Sequence, residues 1–239
     1  MATISPDLPV PPESFADDMA GMPSFFIDPA GAARRVHSKW FWIGPLVVFS
    51  IVSVIVGIML MPIVQHALEM NPPRPNVTPE QYQKGLAISA VIQKVFIYLA
   101  PAFRALLFAL QAAILLAASS VMSVGAKFRQ LFNLVAGCGL IQALAAIAAL
   151  VVLKAKGEIT SVAELQPALG LDIFLPEGTN KFVMAFLGYF SVFEIWWIVM
   201  LVLIFAAAFR VSKGKSLAAV APLVLLNLLW KVGAAAFQR

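Results

Sequence analysis

Four polar side chains interrupt otherwise apolar stretches of the sequence and are the first candidates for chemistry: Gln111, Gln142, Glu194 and Asn227. If these stretches are membrane helices, a rise of about 1.5 Å per residue places all four near mid-membrane. A carboxylate at that depth costs at least a few kcal/mol unless it is protonated, paired or hydrated, so Glu194 most needs an explanation. One interpretation is a protonatable or substrate-binding site between helices. The other is a hydrogen-bonded layer that orients the helices, with Glu194 protonated.

Two cations lie in the same stretches. Lys231 follows Asn227 by one turn, but it sits about 10 Å nearer the outer face than Glu194 by helical rise. We therefore expect its ammonium group to snorkel outward rather than to contact Glu194. Arg104 lies near the end of its stretch and is interpreted in the same way.

Signatures of catalysis are missing from the sequence. It contains no HExxH, GxSxG, Walker A or CxxC pattern. Its two histidines, His37 and His66, fall at the edges of apolar runs, and Cys138 is the single cysteine, so neither a Ser–His pair nor a metal site can be assembled. We predict no catalytic residue, no metal and no cofactor, and therefore that the protein is not an enzyme.

The composition explains the apolar stretches. Of 239 residues, 61% are hydrophobic and only 12% are charged, whereas a soluble domain carries roughly a quarter charged residues. A chain this short cannot bury so much apolar area in a core of its own. We predict an all-α, polytopic membrane helix bundle, because backbone polar groups in lipid must be satisfied within each segment. Five windows are long enough to cross the bilayer: about 42–64, 101–122, 131–153, 182–208 and 217–237.

Residues 1–32 differ from the rest of the chain, because prolines alternate with acidic residues and no apolar stripe is present. We predict a disordered, cytoplasmic, Pro-rich acidic tail, followed by a membrane domain over 33–239. Within the first connection, Thr78-Pro79-Glu80-Gln81 is a capping box with proline at the first helical position, and it predicts that a helix begins there.

The charges of the connections predict an orientation. One side of a five-span bundle receives short turns that carry lysine and arginine without any acidic residue, whereas the other side receives longer, mixed loops. The positive-inside rule then places the N-terminus in the cytoplasm and the C-terminus outside. This also accounts for the net charge of +5, so we predict no nucleic-acid partner. The basic residues on the cytoplasmic side are Arg34, Arg35, Lys39, Lys127, Arg129, Arg210, Lys213 and Lys215.

Three stretches resemble the Yip1 domain family, in particular its bacterial branch. They are Phe26-Ile-Asp-Pro-Ala-Gly-Ala-Ala-Arg-Arg35 with the following Trp40 and Gly44-Pro45, then Gly125-Ala-Lys-Phe-Arg-Gln-Leu-Phe132, and Phe190-Ser-Val-Phe-Glu-Ile-Trp196 with the turn Val211–Ser216. The resemblance covers about residues 25–239. It implies a five-span bundle with a cytoplasmic N-terminus, in a bacterial inner membrane. Eukaryotic relatives interact with prenylated Rab GTPases in vesicle traffic, a role we do not carry over, and the resemblance transfers no catalytic residue.

Two functional hypotheses follow from these observations. The first is a non-enzymatic membrane protein that organises the membrane or binds unidentified protein partners through its tail and helices. The alternative is a transporter or channel that uses the polar layer around Glu194, although no pair of broken helices or inverted repeat is visible in the sequence. Lipid handling is a third possibility, and it rests only on interfacial tryptophans and basic turns. Apart from the lipid bilayer, the sequence identifies no partner and no oligomeric state.

Overall fold

The described residues of a computed structural model, 14–70, 77–157, 159, 162–165, 167–176 and 178–237, form an all-helical fold, as predicted. Among these described residues, five helices are long and apolar enough to cross a membrane, which confirms the five-span prediction: Ile43–Met70, Pro79–Val121, Phe128–Lys156, Val192–Phe209 and Lys213–Ala234. Three short 3₁₀ turns, Val162–Leu165, Leu171–Phe174 and Ala235–Phe237, lie among them. The α-helices are α1 Phe15–Ala20, α2 Ser24–Ile27, α3 Pro29–Val36, α4 Ile43–Met70, α5 Pro79–Val121, α6 Phe128–Lys156, α7 Lys181–Tyr189, α8 Val192–Phe209 and α9 Lys213–Ala234.

The capping box is present at the start of α5. The Thr78 hydroxyl accepts from the Gln81 backbone N–H at 3.3 Å, and the Gln81 side chain accepts from the Thr78 N–H at 3.2 Å. The helix then continues through Pro101 to Val121, so the connection and the second span form one helix.

The fourth predicted window, 182–208, is two helices rather than one. Helix α7 ends at Tyr189, and α8 begins at Val192 with Ser191 as its N-cap. The Ser191 hydroxyl accepts from the Glu194 backbone N–H at 3.1 Å, which satisfies one of the free donors at the new helix start. A hydropathy window reports only apolar content, so it does not detect this break.

The prediction of a disordered tail up to residue 32 is wrong for residues 14–32, which contain α1, α2 and the start of α3. Phe25, Ala32 and Ala33 are buried in the main core. These apolar groups are too few to be detected by a hydropathy window as long as a membrane span. Asp28 caps α3 by accepting from the N–H groups of Ala30 and Gly31. Residues 1–13 lie outside the described residues.

Exposed apolar side chains mark where the bundle meets lipid. They concentrate in a band that on α5 extends from Ile88 to Leu110, about 33 Å by helical rise, close to the thickness of a bilayer core. We call this band the lipid-facing belt. Its other members lie on α4 at Val47–Met59, on α6 at Leu144–Val152, on α7 and α8 at Phe182–Val199, and on α9 at Leu225–Trp230.

One end of the bundle lies beyond this belt and carries the basic turns of residues 122–128 and 209–213. Here residues 131–141 of α6 are buried, apart from the partly exposed Phe132, because α2 and α3 pack against both α6 and α8. We call this the basic end, and we call residues 14–42 the N-terminal cap.

Candidate functional site

Glu194 lies in the first turn of α8, directly after the helix break. Its side chain lies close to that of Tyr189, the last residue of α7, and within electrostatic range of Lys231 on α9. The Tyr189 hydroxyl itself donates to the Val224 carbonyl of α9 at 3.3 Å. A carboxylate in the first turn also interacts favourably with the helix dipole. The structure therefore places this acidic group among compensating partners.

Lys231 turns toward the same break. Its ammonium donates to the Gly188 carbonyl of α7 at 2.5 Å and lies 6.0 Å from the centroid of the Tyr189 ring. The prediction that Lys231 snorkels outward is therefore wrong. That prediction treated 182–208 as one continuous helix, whereas the break frees a carbonyl at the end of α7 for Lys231.

Arg104 also has partners inside the bundle, so the snorkelling prediction is wrong for this residue too. Its Nη1 donates to Gln142 Oε1 of α6 at 3.2 Å. The guanidinium carbon lies 4.0 Å from the ring centroid of Phe49 on α4 and 5.6 Å from that of Phe108. This cation therefore joins α4, α5 and α6 through one hydrogen bond and two ring faces.

The four predicted site residues occur in different surroundings. Glu194 belongs to the helix break, and Gln142 belongs to the Arg104 contact. Gln111 and Asn227 are partly buried, and neither side chain forms a hydrogen bond within the described part of the chain. That any of the four binds a ligand stays a prediction.

A shallow groove of about 260 Å³ lies elsewhere, between the end of α4 and the start of α5. None of the four predicted site residues lines this groove. Its lining is formed by Gln65, Leu68, Glu69, Gln83, Leu86, Ala87, Ser89 and Ala90.

A second cluster of polar contacts, which holds the N-terminal cap, involves side chains that sequence reasoning did not select. The Lys127 backbone N–H donates to Gln130 Oε1 at 2.8 Å, so the amide nitrogen of Gln130 faces His37 Nδ1 at 2.8 Å. We therefore assign the neutral tautomer of His37, in which Nε2–H donates to the Ala208 carbonyl at 3.0 Å. This chain of bonds joins the end of α3 to both α6 and α8.

Asn133, one turn further along α6, is fully buried and binds the segment after α3 through backbone atoms. Its amide nitrogen donates to the carbonyls of Val36 at 3.1 Å and Ser38 at 2.8 Å. Its carbonyl oxygen accepts from the Trp42 N–H at 3.1 Å. All of these partners are backbone groups, and the two carbonyls belong to buried residues, where an unpaired carbonyl would be unfavourable.

Aromatic residues hold the α2 part of the N-terminal cap against α6 and α8. The Phe25 ring packs against Gly137, where an added Cβ would collide with it, and stacks on Phe41 at 4.9 Å between ring centroids. The indole N–H of Trp196 donates to the Phe26 carbonyl at 2.8 Å. Glycine at position 137 therefore provides the space that Phe25 occupies.

Helix α1 packs back against the segment that follows α3, through a contact between Asp18 and Ser38. The Ser38 hydroxyl donates to the buried Asp18 carboxylate, and Arg35 donates to the Gly31 carbonyl at 2.8 Å. Burial raises the pKa of the Asp18 carboxyl, while the Ser38 hydrogen bond and the charge of Arg35 offset part of that rise.

A signal for these contacts was present in the sequence. Gln130 and Asn133 are spaced three apart at the start of an apolar helix, so they share one face. Their partners are mostly backbone groups distant in sequence, which no residue pattern specifies.

Comparison with known families gives one match. The model of the Yip1 domain matches residues 24–234, which begins at the first residue of α2 and ends at the last residue of α9. The matched region therefore includes the α2–α3 hairpin of the cap. Neither the curated proteins nor the solved structures gave a match.

Proposed function

The chain belongs to the Yip1 domain family, and we propose that it is a non-enzymatic integral membrane protein that organises the membrane or binds partners through its basic end. Its five membrane-crossing helices then serve to support this end. The same proposal places the protein in the inner membrane of a bacterium, with the basic end in the cytoplasm, because short loops rich in lysine and arginine are retained on that side.

The observation that carries the proposal is the convergence of three sequence-distant segments at the basic end. His37, at the end of α3, meets both Gln130 at the start of α6 and Ala208 at the end of α8. Most of these polar side chains bind backbone carbonyls, so they fix the shape of the end rather than present groups for acid–base chemistry. A shaped, cation-rich surface is better suited to recognition than to catalysis.

The transport alternative receives less support. Glu194 lies in the first turn of α8, where Ser191 caps its backbone N–H at 3.1 Å and Lys231 lies within electrostatic range. A structural charge at a helix break therefore accounts for this residue. If that is correct, reconstituted vesicles containing Glu194→Gln will show the same flux of small ions as vesicles containing the unaltered protein. A flux that depends on the Glu194 carboxylate would favour the alternative instead.

Affinity purification from native membranes tests the proposal. Three forms are compared: the full chain, a form lacking residues 1–13, and Asn133→Asp, which disrupts the bonds to the backbone of residues 36–42. We expect a defined set of partners with the full chain and a loss of that set with Asn133→Asp. A loss of partners in the form lacking residues 1–13 would show that binding also needs the residues that precede the cap. Identical partner sets in the full chain and Asn133→Asp would overturn the role of the cap.

A further inference from the structure

The turn between α2 and α3 precedes the first span in the sequence, but it lies far from the basic end, beside the start of α8. The Trp196 indole bonds to the Phe26 carbonyl at 2.8 Å, which places residues 26 and 27 beside the start of α8. His37, at the end of α3, bonds to Ala208 at the other end of α8. The hairpin of α2 and α3 therefore extends along α8, away from the basic end and toward the membrane.

The surface of α8 at that level is lipid-facing. Ile195 and Val199 flank Trp196 in sequence, and each is 46% exposed in the isolated chain. They belong to the lipid-facing belt, which ends on α8 at Val199. Trp196 precedes Val199 by three residues, so it lies about 4.5 Å inside the edge of the belt.

The turn presents a matching apolar group. Ile27 is 83% exposed, whereas its neighbour Phe25 is fully buried against α6. The one acidic residue of the turn, Asp28, directs its carboxylate to the N–H groups of Ala30 and Gly31 at 3.1 and 3.0 Å. Its charge is thus partly neutralised by the start of α3, which suits the headgroup boundary.

We propose that residues 24–30 form a re-entrant tip that inserts into the membrane interface, with Ile27 in contact with lipid acyl chains. The argument is continuity: the tip adjoins Trp196, whose neighbours already face lipid. A shallow insertion of this kind reaches about 5–10 Å into the boundary between headgroups and acyl chains. The tip contributes a membrane contact in addition to the five spans, and it does not depend on which side of the membrane the basic end occupies.

Single-cysteine labelling of the full chain in phosphatidylcholine–phosphatidylglycerol vesicles tests this proposal. The unaltered protein is the blank, because its only cysteine, Cys138, is fully buried. Ile27→Cys is compared with Val199→Cys as the lipid-facing reference. Gly214→Cys is the aqueous reference, because open space surrounds Gly214 at the start of α9.

We expect a membrane-impermeant maleimide, supplied on both sides of the vesicle, to modify Ile27→Cys about an order of magnitude more slowly than Gly214→Cys. An environment-sensitive bimane attached at position 27 in detergent before reconstitution should be quenched by lipids that carry a nitroxide on the acyl chain, to nearly the extent seen at 199. Labelling of Ile27→Cys at the rate of Gly214→Cys, together with bimane fluorescence insensitive to those lipids, would overturn the proposal.

Discussion

The indole N–H of Trp196 donates to the backbone carbonyl of Phe26 at 2.8 Å, joining two residues that are 170 positions apart. This bond connects the segment before the first span to the fourth membrane-crossing helix. It belongs to a set of contacts that makes residues 14–42 part of the folded bundle.

Trp196→Phe removes only the N–H donor of this bond and keeps an aromatic ring in place. We expect a loss of about 1 kcal/mol, the net worth of an ordinary hydrogen bond, which corresponds to a fall in Tm of about 2–4 °C. We also expect faster proteolysis after residue 20 in detergent. Trp230→Phe is the matched control, since Trp230 is 80% exposed on α9 and should leave both measurements unchanged. Equal effects of the two substitutions would contradict the role given to Trp196.

Asn133→Asp replaces an amide that donates to the carbonyls of Val36 and Ser38 with a carboxylate that repels them. A buried polar group left without its partner costs about 1–3 kcal/mol, so we expect a large fall in Tm. Gln83→Glu is the control, because it makes the same change from amide to carboxylate at an exposed position near the start of α5. Thermal unfolding in a mild detergent measures both, and a smaller effect at 133 than at 83 would rule out the assigned contacts.

The raised pKa of Asp18 predicts a pH dependence with a definite sign. Burial favours the protonated Asp18 carboxyl in the folded protein. The contribution of Asp18 to the free energy of unfolding is therefore present at low pH and is lost as the pH rises through the raised pKa of Asp18. Asp18→Asn should therefore be more stable than the unaltered protein at pH 7, with the difference shrinking toward pH 4. Asp17→Asn serves as the control for an added amide on the same helix. An Asp18→Asn advantage that grows as the pH falls would show that the sign is wrong.

The charges at the helix break should be energetically coupled. Lys231→Met removes the cation that offsets Glu194, whereas Glu194→Gln leaves Lys231 with the charge of Asp172. Each substitution should destabilise the protein, and the double variant should lose less than the sum of the two. Residues that interact directly show coupling of about 1 kcal/mol. Lys213→Met, at the opposite end of α9, provides a non-interacting comparison. Strict additivity in denaturant unfolding of the four forms would remove the electrostatic link between 194 and 231.

Local capping patterns and apolar content predict much of this fold. The number of membrane-crossing helices follows from composition, and the start of α5 follows from the Thr78 capping box. The break before α8 does not, although Ser191 and Glu194 have the spacing of a capping pattern. That spacing was the local signal of a helix start, but a hydropathy window reports only apolar content and does not take it into account.

The N-terminal cap escaped prediction for a different reason. Its buried apolar groups, such as Phe25, are few, and the groups that hold them are distant in sequence. Gly137 and Trp196 are informative only once the packing of α6 and α8 is known. Counting helical rise also failed for Lys231, since a break changes which backbone groups lie within its reach.

The central claim is that the basic end, shaped by the docked cap, is the partner-binding surface. Cross-linking of lysines in native membranes with a membrane-permeant reagent, read by mass spectrometry, tests it most directly. We expect cross-links to other proteins to concentrate on the lysines of the basic end, to fall in Asn133→Asp and to persist in Trp230→Phe. The account would be contradicted by cross-links concentrated at the opposite end of the bundle, or by an unchanged pattern in Asn133→Asp. The lysines compared are Lys39, Lys127, Lys213 and Lys215 at the basic end and Lys84, Lys154 and Lys156 at the other.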